Sequence, residues 1–128
     1  MSEYGVYVHI PFCRHRCDYC AFATWTDRDH LMEEYVDAVV LDIQRKVAAG
    51  MPVADTVFFG GGTPTRLAPD LITKIVAAIP LSANAEVTVE CNPDDVTPEM
   101  MRVYAAGGVN RVSIGVQAMV EHVLASLG

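Results

Sequence analysis

Short β-rich runs alternate four times with amphipathic helical segments along this chain of 128 residues. Alternation of this kind implies parallel strands that are joined by right-handed crossover helices. We therefore predict an α/β fold with one parallel sheet and with helices outside it. The predicted strands are residues 6–10, 56–59, 86–90 and 111–117, and the predicted helices are residues 28–49, 69–79 and 98–106, with a short final helix that holds Val123, Leu124 and Leu127.

Proline, threonine and glycine residues mark the predicted ends of the helices. Pro69 and Pro98 are favourable first residues, and Thr97 suits the N-cap position of the third helix. Gly50 suits the position just after the first helix, where a left-handed backbone is common. No linker or low-complexity stretch interrupts the pattern, so residues 1–128 are predicted to belong to a single domain.

Three of the predicted strands have one apolar and one polar face, because side chains alternate across a strand. Parallel sheets usually have both faces covered, so a polar face suits the lumen of a barrel that holds a ligand. An open sheet with one solvated face is the alternative. Four βα units are half of an eight-unit barrel, and we expect the segment not to fold alone, since its first and fourth strands would be unpaired edges. The polar positions are Tyr7 and His9, then Glu86, Thr88 and Glu90, then Arg111, Ser113, Gly115 and Gln117.

The charge balance and the apolar runs exclude some classes of protein. The chain has 9 basic and 16 acidic residues and a formal net charge of −7, whereas a nucleic-acid surface would need a basic excess. No apolar run approaches the length that spans a bilayer, and the first residues do not have the pattern of a signal peptide. We therefore expect a cytoplasmic protein without a membrane span. In that compartment, four cysteines favour metal or redox chemistry over a disulfide framework.

Three cysteines, Cys13, Cys17 and Cys20, follow the first predicted strand with C-x3-C-x2-C spacing. The carboxyl ends of parallel strands are where α/β folds place their chemistry. Three thiolates can hold a cubane iron–sulfur cluster and leave one iron open, whereas ferredoxins close the cluster with four. Two alternatives remain open. A zinc site could add His9 or His15 as its fourth ligand, and a dithiol redox pair could use Cys17 and Cys20 alone.

Four motifs together resemble one branch of the radical S-adenosylmethionine (SAM) enzymes. The branch contains the oxygen-independent coproporphyrinogen III oxidases and their relatives, the heme chaperones. The resemblance covers essentially the whole chain, and it implies that residues 1–128 are the first four βα units of a partial TIM-type barrel. They would form the N-terminal part of a radical SAM core domain, without its C-terminal part and accessory domain. The motifs are Tyr7-Val8-His9-Ile10-Pro11-Phe12-Cys13, the cysteine trio, Gly60-Gly61-Gly62-Thr63-Pro64-Thr65, and Ser113-Ile114-Gly115-Val116-Gln117.

The resemblance also implies cofactors and their ligands. Cys13, Cys17 and Cys20 would bind a [4Fe-4S] cluster whose open iron chelates SAM. An electron donor would reduce the cluster, and cleavage of SAM would give a 5′-deoxyadenosyl radical. From the residues alone, the alternatives are a tight turn at the glycines, a solvated strand end at Glu90 and a lumen-filling aromatic at Tyr7. The residues that match SAM contacts of the family are Tyr7, Gly61, Gly62, Thr63, Glu90 and Gln117.

One departure from the oxidase pattern bears on function. The oxidases of this branch carry a further cysteine two residues after the third cluster ligand, where this chain has Phe22. Phenylalanine there resembles the heme chaperones, so we expect a protein that binds and transfers heme. The alternative is an oxygen-independent coproporphyrinogen III oxidase, which decarboxylates a porphyrinogen by radical chemistry, and a further alternative is a truncated, inactive fragment. Whether the chain belongs to an enzyme or to a non-catalytic carrier stays open.

Overall fold

A computed structural model describes residues 3–11 and 25–114 of the chain. Within these residues, four strands alternate with three α-helices, and the predicted α/β class is confirmed. Short 3-10 helices follow the second and third strands, at Pro64–Arg66 and Pro93–Asp95. The strands are β1 (Gly5–Ile10), β2 (Ala54–Gly61), β3 (Leu81–Cys91) and β4 (Arg111–Ile114), and the helices are α1 (Trp25–Ala48), α2 (Pro69–Ala78) and α3 (Pro98–Ala106).

The four strands form one parallel sheet in the order β1-β2-β3-β4. Phe59 pairs with Val89, so the residues that follow them, Gly60 and Glu90, are also neighbours. The face that carries the polar side chains is called the open face below. Two rows of residues cross this face from β1 to β4: the middle row, Tyr7, Phe58, Thr88 and Arg111, and the upper row, His9, Gly60, Glu90 and Ser113.

The other face of the sheet packs against the helices and forms the core. Strand residues on that face alternate with those of the open face, as the sequence pattern predicted. Leu31 and Val47 of α1 are 41% and 39% exposed, whereas Met32, Val36 and Ile43 of the same helix are buried. The buried side chains include Val8, Ile10, Val36, Ile43, Val57, Phe59, Ile72, Ile75, Val76, Val87 and Val89.

The predicted N-cap of the third helix and the glycine after the first are confirmed at atomic detail, whereas α1 begins at Trp25, three residues before its predicted start. The hydroxyl of Thr97 accepts a hydrogen bond from the backbone N–H of Met100 at 3.1 Å, which is the expected N-cap contact. Gly50 follows α1 with φ +105°, and Gly108 follows α3 with φ +102°. Both glycines adopt the left-handed backbone that ends a helix at little steric cost.

Strands β2 and β3 are longer than the alternation of side chains predicted. Ala54 pairs with Leu81, and Thr56 pairs with Glu86, so the register shifts where β3 begins. This first part of β3, Leu81-Ser82-Ala83-Asn84-Ala85, contains two alanines and an asparagine. These residues have low strand propensity, which is why the sequence did not indicate it. The predicted continuation of the fourth strand to Gln117 and the final helix lie outside the described residues. No helix in residues 25–114 is long and apolar enough to cross a membrane.

Candidate functional site

Four predicted site residues lie on the open face or at the carboxyl edge of the sheet. Tyr7 lies in the middle row, and Glu90 lies in the upper row as the penultimate residue of β3. Gly61 ends β2, and Thr63 precedes the first 3-10 helix. Because adjacent strands lie about 4.8 Å apart, residues of β1 and β3 that face each other across β2 are separated by about 10 Å. A small molecule can therefore bridge them.

Aromatic side chains cover the β1 and β2 part of the open face. The rings of Tyr7 and Phe58 are stacked, with centroids 6.1 Å apart and an angle of 11° between their planes. The Tyr7 hydroxyl and His9 Nδ1 form a hydrogen bond of 3.3 Å. Tyr7 is 58% exposed and Phe58 is 37% exposed. The open face is thus a mixed surface of aromatic rings and polar groups rather than a uniformly polar one.

These aromatic side chains explain why two of the three glycines lack a side chain. A Cβ atom on Gly60 would lie 2.8 Å from Phe58 Cε1 and 3.1 Å from the Tyr7 hydroxyl. A Cβ atom on Gly61, where φ is +107°, would lie 2.6 Å from the His9 ring and 3.0 Å from the carbonyl oxygen of Ile10. Gly62 donates its N–H to that same carbonyl at 2.7 Å. The glycines therefore let β2 lie close against the end of β1.

Tyr35 of α1 holds the end of β1 from the opposite side. Its hydroxyl donates a hydrogen bond to the backbone carbonyl of His9. Burial raises the pKa of the Tyr35 phenol, and the nearby Tyr7 adds to the shift. The phenol consequently stays protonated and able to donate. The last residues of β1 are fixed between Gly62, which follows β2, and Tyr35 of α1.

A hydrogen-bonded connection joins the loops that follow β2 and β3. The hydroxyl of Thr65 donates to Oδ2 of Asp95 at 2.7 Å and accepts from the backbone N–H of Asn92 at 3.4 Å. The side chain of Asn92 in turn accepts from the N–H of Asp94 at 2.9 Å. Thr65 thus couples the glycine-rich segment to the loop beyond Glu90, and this fixes the two loops relative to one another.

Cys91, the cysteine outside the predicted ligand run, is buried, with 1% of its surface exposed. Its thiol donates to the carbonyl of Val89 at 3.4 Å. Burial, with smaller contributions from Asp95 and Glu90, raises the pKa of the thiol to about 11. Cys91 is therefore a small side chain of the core, and a neutral, buried thiol is a poor metal ligand.

The predicted site residues divide into two groups. Tyr7 and Glu90 lie on the open face, and Gly61, Gly62 and Thr63 lie at the carboxyl end of β2 or just after it. The remaining residues of the prediction, Cys13, Cys17, Cys20, Phe22 and Gln117, lie outside the described residues.

Three residues next to the site were not identified as site residues from the sequence. Phe58 lies two residues from both Thr56 and Gly60 in β2, so the three share one face of the strand. This spacing could have placed Phe58 on the open face beside Tyr7. For Tyr35, no local pattern indicates that its hydroxyl reaches the His9 carbonyl, because the two residues are 26 positions apart. For Thr65, no local pattern indicates that its hydroxyl reaches Asp95, because the two residues are 30 positions apart.

Comparison with known proteins identifies the family. The sequence profile of the Radical SAM superfamily matches residues 7–128. The chain belongs to the radical SAM superfamily. It is 38% identical to heme chaperone HemW of Bacillus subtilis (strain 168) and to heme chaperone HemW of Escherichia coli (strain K12), over 97% of this chain and 34% of each relative. It is 34% identical to a mitochondrial radical S-adenosyl methionine domain-containing protein 1 of Bos taurus, over 97% of this chain and 29% of that protein.

A solved radical SAM structure has the same fold. The structure of coproporphyrinogen III oxidase (HemN) from Escherichia coli, described as a radical SAM enzyme, matches with a TM-score of 0.71 and 30% sequence identity. The match covers 89% of this chain and 28% of that one. The chain spans about a third of the length of the curated relatives it matches. The predicted partial radical SAM barrel is therefore confirmed for this part of the fold.

Membership of the radical SAM superfamily implies a [4Fe-4S] cluster and SAM as cofactors. The donor chemistry fits, because Cys13, Cys17 and Cys20 provide three thiols, which is one fewer than a closed cluster requires. The position of β1 fits as well. Its last residue, Ile10, is anchored to Gly62 at the carboxyl edge of the sheet, three residues before the first of these cysteines.

Proposed function

We propose that this chain is the N-terminal part of the radical SAM core domain of a heme chaperone, a protein that binds and transfers heme. In this proposal Cys13, Cys17 and Cys20 hold the [4Fe-4S] cluster. The SAM molecule lies across the upper row of the open face. The residues that bind it are Tyr7, Gly61, Gly62, Thr63, Glu90 and Gln117.

Sequence identity is the observation that favours a heme chaperone over the other members of the superfamily. The two heme chaperones named above are 38% identical to this chain over 97% of its length. Phe22 supports the same choice, because it stands where the oxidase pattern has a further cysteine. Heme or a porphyrinogen is then the large ligand, and an electron donor is the protein partner that reduces the cluster.

The described residues suit the binding of SAM in distinct ways. The Glu90 carboxylate, half-buried in the upper row, is an acceptor for ribose hydroxyl or ammonium groups. Tyr7 presents an exposed ring whose hydroxyl is oriented by His9. Gly61 and Gly62 leave the carboxyl end of β2 without side chains, so a ligand can approach the backbone. When bound, the cluster supplies one electron for the reductive cleavage of SAM.

The second candidate is an oxygen-independent coproporphyrinogen III oxidase, and the structural match with a TM-score of 0.71 favours it. The two candidates differ in what happens to the porphyrin. A chaperone retains heme and transfers it unchanged, whereas an oxidase converts propionate side chains of a porphyrinogen to vinyl groups. Both share the cluster and SAM, so only an assay of the large ligand separates them.

The test uses the intact protein, reconstituted anaerobically with iron and sulfide. We expect a reduced [4Fe-4S] signal in electron paramagnetic resonance that changes when SAM is added. Cys17→Ala should lose this signal, and Cys91→Ala is the matched control that should keep it. Stoichiometric heme binding without formation of a vinyl product would support the chaperone. Vinyl formation from coproporphyrinogen III would support the oxidase, and stoichiometric zinc in place of iron would refute both.

A further inference from the structure

The carboxyl end of β1 is held by hydrogen bonds on two sides, and the cysteine run begins three residues after it. On the β2 side, the carbonyl of Ile10 accepts from Gly62 at 2.7 Å, and the carbonyl of Tyr4 accepts from Asp55 at 2.8 Å. Carbonyl groups alternate in direction along a strand, so the carbonyl of His9 points away from β2. Among the described strands, β1 has no neighbour on that side, and an edge carbonyl would be left to water.

Tyr35 fills the role of that missing neighbour. It lies in the middle part of α1, and its hydroxyl donates to the His9 carbonyl across 26 positions of sequence. The two residues flank the segment that contains Cys13, Cys17 and Cys20. A single contact therefore closes a long loop, and closing a loop restricts the positions that its ends can take. Packing fixes the Tyr35 ring, because the ring is half-buried against the core.

We infer that Tyr35 is a positioning residue for the cluster: its hydroxyl fixes the end of β1 against α1, and β1 is the strand that the cysteine run follows in the sequence. This inference rests on the proposed function and adds a residue from outside the ligand motif. Tyr35 touches neither SAM nor iron in this assignment. It acts through the backbone of His9, and the ring of His9 in turn contacts Tyr7.

Tyr35→Phe tests the assignment in the intact protein, because it removes the hydroxyl and keeps the ring. We expect the chelator-driven loss of iron from the reconstituted cluster to accelerate about fivefold, the effect of one neutral hydrogen bond. We also expect a broader paramagnetic resonance signal in the presence of SAM. Tyr104→Phe is the matched control. It also removes a tyrosine hydroxyl, but one that is buried and has no hydrogen-bond partner among the described residues, so its rate should equal that of the parent.

A second variant separates the hydrogen bond from packing. 3,5-Difluorotyrosine at position 35 keeps the ring and the hydroxyl but ionises at a much lower pH than tyrosine, and a phenolate cannot donate. Iron loss in this variant should match the parent at low pH and approach the Tyr35→Phe rate as the pH rises. The parent, measured over the same range, accounts for the other titratable groups that line the groove between β1 and α1: Tyr4, Tyr7, His9, Asp42 and Lys46.

The outcomes distinguish this inference from the proposed function. If the parent holds no [4Fe-4S] cluster, both are wrong. If the parent holds the cluster and Tyr35→Phe loses iron at the parental rate, the inference alone is wrong. The same holds if the difluorotyrosine variant shows no pH dependence beyond that of the parent, even where Tyr35→Phe is impaired or poorly folded, because the effect would then come from packing.

Discussion

Replacing Gly61 by alanine should be one of the most damaging single-methyl changes in this part of the chain. Gly61 has φ +107°, and a residue with a Cβ atom pays about 1–2 kcal/mol to adopt a left-handed backbone. The added atom would also lie 2.6 Å from the His9 ring and 3.0 Å from the Ile10 carbonyl oxygen. The ring can rotate away, but that carbonyl is held by Gly62. With about 1–3 kcal/mol for overpacking, we expect a total loss of about 3 kcal/mol in the free energy of unfolding.

Two other glycines provide controls that separate the two costs. Gly50 has φ +105°, and a Cβ atom there would meet nothing within 4 Å. Gly50→Ala therefore reports the backbone cost alone, about 1 kcal/mol after the smaller entropy of the unfolded chain is counted. Gly60 does not have a positive φ, and its Cβ atom would meet Phe58 Cε1 at 2.8 Å. Gly60→Ala therefore reports a collision with a side chain that can move.

The assay is urea denaturation of the intact protein, followed by circular dichroism, for the parent and the three variants. We expect Gly61→Ala to lower the free energy of unfolding by more than the losses of the two controls. Its SAM affinity should also fall, because His9 and Tyr7 must move. A loss no larger than that of Gly50→Ala would refute the reasoning, since it would mean that the end of β1 yields freely to the new methyl group.

Three further predictions concern single side chains. Glu90→Gln should lower SAM affinity about tenfold, as expected for the loss of a charge-assisted hydrogen bond, and should leave the iron content unchanged; equal affinity by calorimetry would contradict the SAM contact. Tyr104→Phe should raise the free energy of unfolding by about 1–2 kcal/mol, because it removes a buried hydroxyl without a partner among the described residues; a lower melting temperature would contradict this. The raised pKa of Cys91 favours the neutral thiol in the folded state, so this stabilisation is complete below about pH 9 and is lost as the pH rises to about 11; Cys91→Ala should lack that part of the pH dependence.

The fold could be predicted from the sequence because its signals are local and repeated. Alternating side chains identified the strands, and Thr97 and Gly50 marked helix ends through a local hydrogen bond and a local backbone angle. The order of the strands follows the tendency of consecutive strands to lie side by side in a sheet. The start of β3 was missed because its alanine and asparagine residues have low strand propensity.

The candidate site could be predicted only in part, because its contacts join distant segments. The glycine-rich segment was recognised by its composition, but its contacts with His9 and Tyr7 depend on how β1 and β2 align. Likewise, the bond between Thr65 and Asp95 exists only because the loops after β2 and β3 are adjacent in space. Residue types indicate what chemistry is available, whereas register decides which side chains meet.

The two rows of the open face have different chemistry, and this confines polar recognition to the carboxyl end of the sheet. In the middle row the stacked rings of Tyr7 and Phe58 lie beside Thr88, which is only 4% exposed. Arg111, at the end of this row, is paired with Glu86 at 2.6 Å. The guanidinium therefore already has a carboxylate partner, and a ligand that descends to this level would meet mainly aromatic surface. In the upper row, Gly60 has no side chain and Glu90 offers a carboxylate, so a polar ligand gains most by binding there, directly beside the end of β1 from which the cysteine run departs.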